Sequence, residues 1–460
     1  MTELSLNCSA DDYRIFSCQM TGKVRSRYHA EYAGWYRQTT WNRRDFHRFP
    51  ELIVRAECRN DIAATVNFAR KYGKKLCIRA GGHSYAGSFL QNDSILLDIS
   101  ALNDIEVDRQ NGIARIGPGV TGRQLMAQLA PLGLAFPTGH GGDVALSGFL
   151  LGGGLGINAG AWGQMSVFNV VAVDVVTADG QCLHASATEN AELWWAARGA
   201  GPNAFFVVSH FYLQCWPHPE MMTSHLYSVP QAALPQAALP LLFEMLDSHE
   251  WDRRLQIMVI LSGENPDQAI VNTLAFADSR RQADELQALF TQRIQGFHVD
   301  IRCLAAEQMP DFEAIYRQNE QALVCSRFRT DNLFTDRILD AYAVLREQLP
   351  GQPAPHGMSM IVWRGRQQLP DAAYSATGRY FISTYLQWDD AGDDERNRQW
   401  LKQCYDQLTP YASGHYINEF DLEGRAASIG RCYNEANWQR FVALREQYDP
   451  HALFPRLNNG

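Results

Sequence analysis

Three glycine-rich signatures, Arg79-Ala80-Gly81-Gly82-His83-Ser84, Gly139-His140-Gly141-Gly142-Asp143 and Leu151-Gly152-Gly153-Gly154-Leu155-Gly156, fall within the stretch from Ile78 to Gly163. Each interrupts otherwise apolar, strand-like sequence. Glycine permits close approach of the backbone and positive φ, and successive peptide N–H groups in such turns face anions. A flat or phosphorylated cofactor is the expectation. The spacing is not that of a dinucleotide fingerprint, which opens a helix directly after a strand within a βαβ unit, so nicotinamide-dependent reduction is disfavoured.

Outward from these loops, the amino-terminal part alternates strand and helix. Leu52-Ile53-Val54 reads as a strand, Asn60 or Asp61 caps an amphipathic helix, and Leu76 to Arg79 is the strand that delivers the first loop. Ser94 to Ile99 is a further strand, Asn111-Gly112 turns a hairpin, and Thr121 caps a helix. Val170 to Val176 and Phe205 to Val208 are β-branched or aromatic enough for strands. Residues 1–48 read as a helix-bearing segment across this first α+β unit, with Trp41 a packing residue and Asn42 a cap.

Composition shifts at Cys215-Trp216-Pro217-His218-Pro219, where a boundary is expected. Beyond it, Leu255 to Leu261, His298 to Cys303, Gly357 to Trp363 and Arg379 to Trp388 alternate as antiparallel strands. Pro266 to Phe276, Ala283 to Phe290 and Thr335 to Leu345 read as helices between them. The run Tyr411 to Asp421 reads as extended, and Trp438 to Tyr448 as a helix stopped by Asp449-Pro450.

The 460 residues allow two or three domains with a substantial core. A net charge of -9 without long basic runs argues against nucleic-acid binding. The ten cysteines form no CxxC pair, so no thiolate metal site or disulfide framework is expected. Met1 to Ser5 carry no basic, apolar leader and no stretch reaches a membrane span, which points to cytoplasmic residence.

Taken in order, the signatures resemble the berberine-bridge-enzyme-like FAD-linked oxidases of the vanillyl-alcohol-oxidase superfamily. Arg79 to Ser84, Gly148 to Gly156, Val173 to Gly180, Trp195 to Gly201 and Tyr448-Asp449-Pro450 carry the likeness. It implies an α+β fold with a two-subdomain FAD-binding domain (1–210), a substrate-binding domain with a helix-covered antiparallel sheet (211–410) and a carboxy-terminal segment completing the FAD domain and active site (411–460). It also implies FAD attached through His83, by a ring nitrogen bonded to the 8α-methyl carbon. Where many relatives form a second bond through cysteine, this chain has Gly141, so His83 alone is expected to tether the flavin. Arg79, Gly81, Gly82, Ser84, Gly139, His140, Gly142, Asp143, Ser147, Gly152, Gly153, Gly154, Val207 and Asn418 complete the implied cofactor set. Within it, His140 either meets the ring or serves the loop, and Asp143 orients amides or accepts from a ribose hydroxyl.

The implied chemistry is hydride transfer to flavin nitrogen 5, with a side-chain base taking a proton and oxygen reoxidising the flavin. Strand alternation places His415, Ile417 and Glu419 on one side of the tail segment and Tyr416 with Asn418 on the other. A partly desolvated Glu419 is the candidate base, where relatives often carry tyrosine; Tyr416 competes as base or as donor to the substrate oxygen. Trp363, Tyr385, Gln387 and His415 are the candidate substrate lining, suited to an aromatic, polyketide-like or alkaloid-like metabolite or, alternatively, an oligosaccharide. Oxidative cyclisation, oxygenation and a non-catalytic binding role are the competing functions.

Overall fold

The structure is a computed structural model describing residues 8–231 and 238–457. Met1 to Ser5, read above for a leader, lie outside the described residues. Ser9 caps the helix Ala10–Gln19 by accepting the Asp12 N–H. The strand Lys23–Ser26 and the helix Tyr32–Arg37 follow.

In the first sheet the strands stand in the order Lys23–Ser26, Leu52–Arg55, Ile95–Asp98, Leu76–Arg79, the last three parallel. Leu52, Val54, Leu76 and Leu97 pack toward the helix Arg59–Lys71, while Ile53, Cys77 and Leu96 pack toward Tyr32 and Trp35. Burial on both faces accounts for the continuous apolar runs of these strands. A second, antiparallel sheet runs Ile105–Asp108, Ile113–Ile116, Phe206–Gln214, Val170–Thr177, Cys182–Ser186. The Asn111-Gly112 hairpin and the Thr121 cap form as expected, the latter a capping box with Gln124.

The third sheet has seven antiparallel strands: Arg302–Met309, Met221–Pro230, Gln268–Ala277, Leu255–Ser262, Met358–Trp363, Tyr380–Trp388 and Arg327–Thr335. Leu255, Ile257, Val259 and Leu261 are buried in one cluster with the helices Ala238–Ser248 and Arg280–Gln295. Gln256, Met258, Ile260 and Ser262 point the other way and are half-buried. The fold is therefore α+β, with helices on one face of an antiparallel sheet and its opposite face turned to the glycine loops. Among the described residues no helix is long and apolar enough to cross a membrane.

Several expected elements differ in type or bounds, among them the helix expected from Thr335, which begins at Ile338. Pro266 to Phe276, read as a helix, is the strand Gln268–Ala277, because β-branched Ile270, Val271 and Thr273 pair with strands on both sides. The strand expected at His298 to Cys303 begins at Arg302 and runs to Met309. Within Tyr411 to Asp421, Ile417–Glu419 is a single 3₁₀ turn closed by the Glu419 N–H on the Tyr416 carbonyl, so Glu419 leaves the simple alternation. The tail helix, Glu435–Tyr448, starts at the Asn434 cap. The tail then returns to the first sheet, where the Leu453 carbonyl accepts the Leu76 N–H.

Candidate active site

The first glycine loop is held from beneath by Arg79. Its guanidinium donates to Asp98 Oδ1 at 2.9 Å and to the Thr39 and Gln38 carbonyls at 3.1 and 3.2 Å. Arg79 thus acts on the loop's shape, with its charge paired to Asp98. Gly82 has φ +75°, and a Cβ there would stand 2.2 Å from the Thr39 carbonyl oxygen, so only glycine fits. Ser84 is tied to Ser88, whose N–H it accepts at 3.2 Å. Among the described residues no protein acceptor takes the N–H groups of Gly81, Gly82, His83 or Ser84. That row of amides suits an anionic pyrophosphate.

The His83 ring stacks on Trp41, centroids 5.5 Å apart. Burial pushes its pKa down to about 4, aided by Arg79 and opposed by Asp143, so the imidazole is neutral at neutral pH. Asn42 is a buried staple: its amide donates to the Tyr85 and Phe328 carbonyls and accepts the Phe328 N–H.

The second loop is gripped from the far side by the helix Phe312–Glu320. Glu320 accepts the Gly142 N–H at 3.2 Å, and the Thr138 and Tyr316 hydroxyls meet at 2.6 Å. Arg123 pairs with Glu313, Glu320 and Asp143. Gly142 and the exposed Asp143 are thereby engaged with Arg123 and Glu320. His140 is also neutral, its pKa lowered to about 4 by burial. Gly139 is buried beside Phe149, and Ser147 is buried in the helix Leu146–Leu151.

The tail segment reaches the third loop. Asn418 donates to the Phe149 carbonyl and to the Tyr416 hydroxyl, each at 3.0 Å. A Cβ on Gly152 would lie 1.9 Å from Asn418 Oδ1, which fixes glycine at 152. Gly153 and Gly154 follow at positive φ. The Tyr416 hydroxyl also accepts the Leu155 N–H at 3.2 Å, and burial with the nearby Glu419 charge raises its pKa. With two hydrogen bonds accepted, the Tyr416 O–H remains available to donate.

Glu419 is half-buried. Its Oε2 accepts from the Ser383 and Tyr385 hydroxyls, both at 2.7 Å, while Oε1 has no partner among the described residues. Desolvation raises its pKa and the two hydroxyl donors oppose the rise. The Tyr85 ring stands 6.2 Å from that of Tyr385. One oxygen is thus fixed and the other presented, in a setting where no cation pairs with the carboxylate among the described residues.

The structure brings Glu419, Tyr416, Asn418 and Tyr385 together with the glycine loops. It does not bring the other lining candidates. Trp363 pairs with Tyr380 on the helix-covered face, since Tyr380 donates to the Phe243 carbonyl there. Gln387 is buried and consumed by the Val324 N–H and the Ala322 and His356 carbonyls. His415 is fully buried, donating to the Asn332 carbonyl at 2.6 Å. Val207 lies in the core, its backbone paired with Val176.

An FAD binding domain family model matches residues 50–186. The FAD-linked oxidoreductase ptmO of Penicillium ochrochloron is 30% identical over 421 residues, 90% of this chain and 91% of that protein. The chain belongs to the berberine-bridge-enzyme-like FAD-linked oxidoreductases. Solved structures share the fold of this FAD-linked oxidoreductase. A 6-hydroxy-D-nicotine oxidase from Arthrobacter nicotinovorans matches at TM-score 0.81 and 22% identity, covering 96% of this chain and 98% of its own. The glucooligosaccharide oxidase of Acremonium strictum matches at 0.84 and 19%, covering 99% and 98%. FAD fits the residues present: free amides for its phosphates, close-packed glycine loops and a neutral His83.

Four contributors to the FAD-linked oxidoreductase site were absent from the sequence-based set. Tyr85 and Ser383 flank Glu419, and two consecutive residues of the strand Arg327–Thr335 bracket its turn. The Asn332 side chain donates to the Tyr416 carbonyl at 2.8 Å and accepts the Tyr416 N–H at 2.7 Å. Asp331 accepts from the Asp421 N–H and from Arg425. Burial raises the Asp331 pKa to about 6 against the pull of Arg425.

Proposed function

We propose that the chain is an oxidase of a small organic metabolite in which Glu419 Oε1 takes the proton from a hydroxyl or amine on the carbon being oxidised. FAD, when bound, supplies the hydride acceptor at nitrogen 5 and passes the electrons to molecular oxygen. The observation that carries this reading is the asymmetry of Glu419: Oε2 held by Ser383 and Tyr385, Oε1 without a partner among the described residues. Desolvation increases the proton affinity of the carboxylate, which suits a general base. Tyr416 and Asn418 hold the third glycine loop in register with it.

Attachment of FAD through His83 alone is part of the same reading. A neutral imidazole nitrogen is nucleophilic, and Gly141 offers no side chain for a second bond. The test is acid denaturation of purified holoprotein followed by mass measurement of the chain, then anaerobic addition of candidate substrates. One FAD retained by the wild type and lost in His83→Ala, with substrate-driven bleaching of the flavin abolished in Glu419→Gln, is the expected result. Flavin released from the denatured wild type sinks the attachment. Undiminished bleaching in Glu419→Gln sinks the base assignment. The expected product is two hydrogens lighter than the substrate, and a product heavier by oxygen replaces oxidation with oxygenation.

A further inference from the structure

The face of the seven-stranded sheet that carries Ser383 and Tyr385 is used unevenly. At one end, Met222, Phe276, Phe334 and Phe381 pack into the same apolar cluster as the strands and loops of the amino-terminal part. Further along, Met258, Ile260, Ile270, Met358 and Met360 are half-buried and belong to none of the apolar clusters among the described residues. Their side is fixed by register. Ser383 pairs with Met360, Met360 with Ile260, and Ile260 with Ile270, and directly paired residues share a face. The row begins at the serine that holds the Glu419 carboxylate and crosses three strand spacings of about 4.8 Å, about 14 Å in all.

Polar groups border this terrace, and each is partly engaged within the protein. Ser228 donates to Gln268 at 2.8 Å beyond the Ile270 end. Along the side, Asn272 donates to Ser224 at 3.1 Å and Gln256 accepts the Asn158 N–H at 3.1 Å. Met358, Met360, Ile260 and Ile270 carry no donor and only weak thioether acceptors, so sugar hydroxyls laid along this row would lose water with little return, which disfavours a sugar. Hydrocarbon loses nothing, and the three methionine side chains adapt to its contour.

We infer that the substrate is an elongated, largely hydrocarbon molecule whose body lies along Met360, Ile260 and Ile270, with its single reacting hydroxyl or amine at the Ser383–Glu419 end. The placement of the reacting end rests on the reading of Glu419 as proton acceptor; the nature of the body rests on the terrace alone.

The test is calorimetric titration of the holoenzyme with straight-chain primary alcohols from hexanol to tetradecanol, with cellobiose as the polar counterpart. Affinity should rise about fourfold per methylene, the value of burying one such group. At about 1.25 Å per methylene, from carbon–carbon bonds near 1.5 Å, the rise should stop near eleven carbons. Ile270→Asn, on the open face, should leave hexanol unchanged and end the rise near eight carbons. No dependence on chain length, cellobiose binding as tightly as decanol, or equal weakening of hexanol and dodecanol by Ile270→Asn would each overturn the inference. If Ile270→Asn does not fold, the wild-type series decides by itself. The same series on Glu419→Gln separates the two readings: persistent chain-length dependence with intact turnover removes the base and keeps the terrace, whereas lost dependence with lost turnover keeps the base and removes the terrace.

Discussion

On one wall of the cleft, shape is imposed on the backbone: Gly82 against the Thr39 carbonyl, Gly152 against Asn418, and Arg79 laced to Asp98 and two carbonyls. On the opposite wall the backbone is an ordinary antiparallel sheet, and everything distinctive lies in which side chains alternate onto it, from Ser383 and Tyr385 to Met360, Ile260 and Ile270. The first wall tolerates almost no added atom. The second can change side chains without changing shape, and the tail carries Glu419 to its Ser383 and Tyr385.

Four substitutions break or sharpen this contrast. The largest effect is expected from Glu419→Gln, which keeps both hydroxyl contacts on one oxygen but cannot take a proton. It should lower kcat by about 10² to 10⁴ with little change in KM and erase the ascending limb of the pH–rate profile. A loss below tenfold would move the base elsewhere. Next comes Gly152→Ala, whose Cβ has to displace Asn418. A cost of about 1–3 kcal/mol is expected, read as a lower denaturant midpoint and weaker flavin retention. An unchanged midpoint would show the glycine wall to be more pliant than its contacts imply.

Tyr385→Phe should act more gently. The Tyr385 hydroxyl lowers the Glu419 pKa by favouring the carboxylate, so its removal raises that pKa further. Because the proposed base must be ionised, the ascending limb of kcat/KM should move to higher pH. A shift to lower pH would contradict the assignment. The smallest effect belongs to Arg123→Met at the outer side of the second loop. Arg123 and Glu313 are each 32% exposed, so the loss should stay within about 1 kcal/mol and fade in 1 M salt. A larger, salt-insensitive loss would make that grip as stringent as the glycine contacts.

The same contrast explains what was legible in the sequence. A backbone that forbids a Cβ leaves glycine behind, so the loops and His83 could be read along the chain, and an acidic residue in an aromatic tail drew attention to Glu419. Tyr385 was among the lining candidates, but Ser383 and Tyr85 could not be found that way: they meet it only through sheet register and loop closure. In Arg327 to Thr335, Arg329, Thr330, Asp331 and Asn332 are all buried because the tail covers this edge strand and supplies partners to Arg329, Asp331 and Asn332, while Thr330 meets Ser383 of the next strand. Trp363 misled because its aromatic character says nothing about which face of a strand it occupies. Gln268 to Ala277 misled because its apolar spacing fits both periods until neighbouring strands choose one.

The return of the tail also sets a timetable. The loop Arg79 to Ser84 leaves the ribosome long before Glu419, and Leu453, whose carbonyl seals the strand beneath that loop, comes later still. At about 5–20 residues per second, roughly 20 to 75 seconds of synthesis separate the loop from its seal. Until the tail is made, the nascent chain holds its glycine loops and lacks Glu419, the proposed proton acceptor. On the proposed role of Glu419, reactivity waits on the last part of the polypeptide to be made.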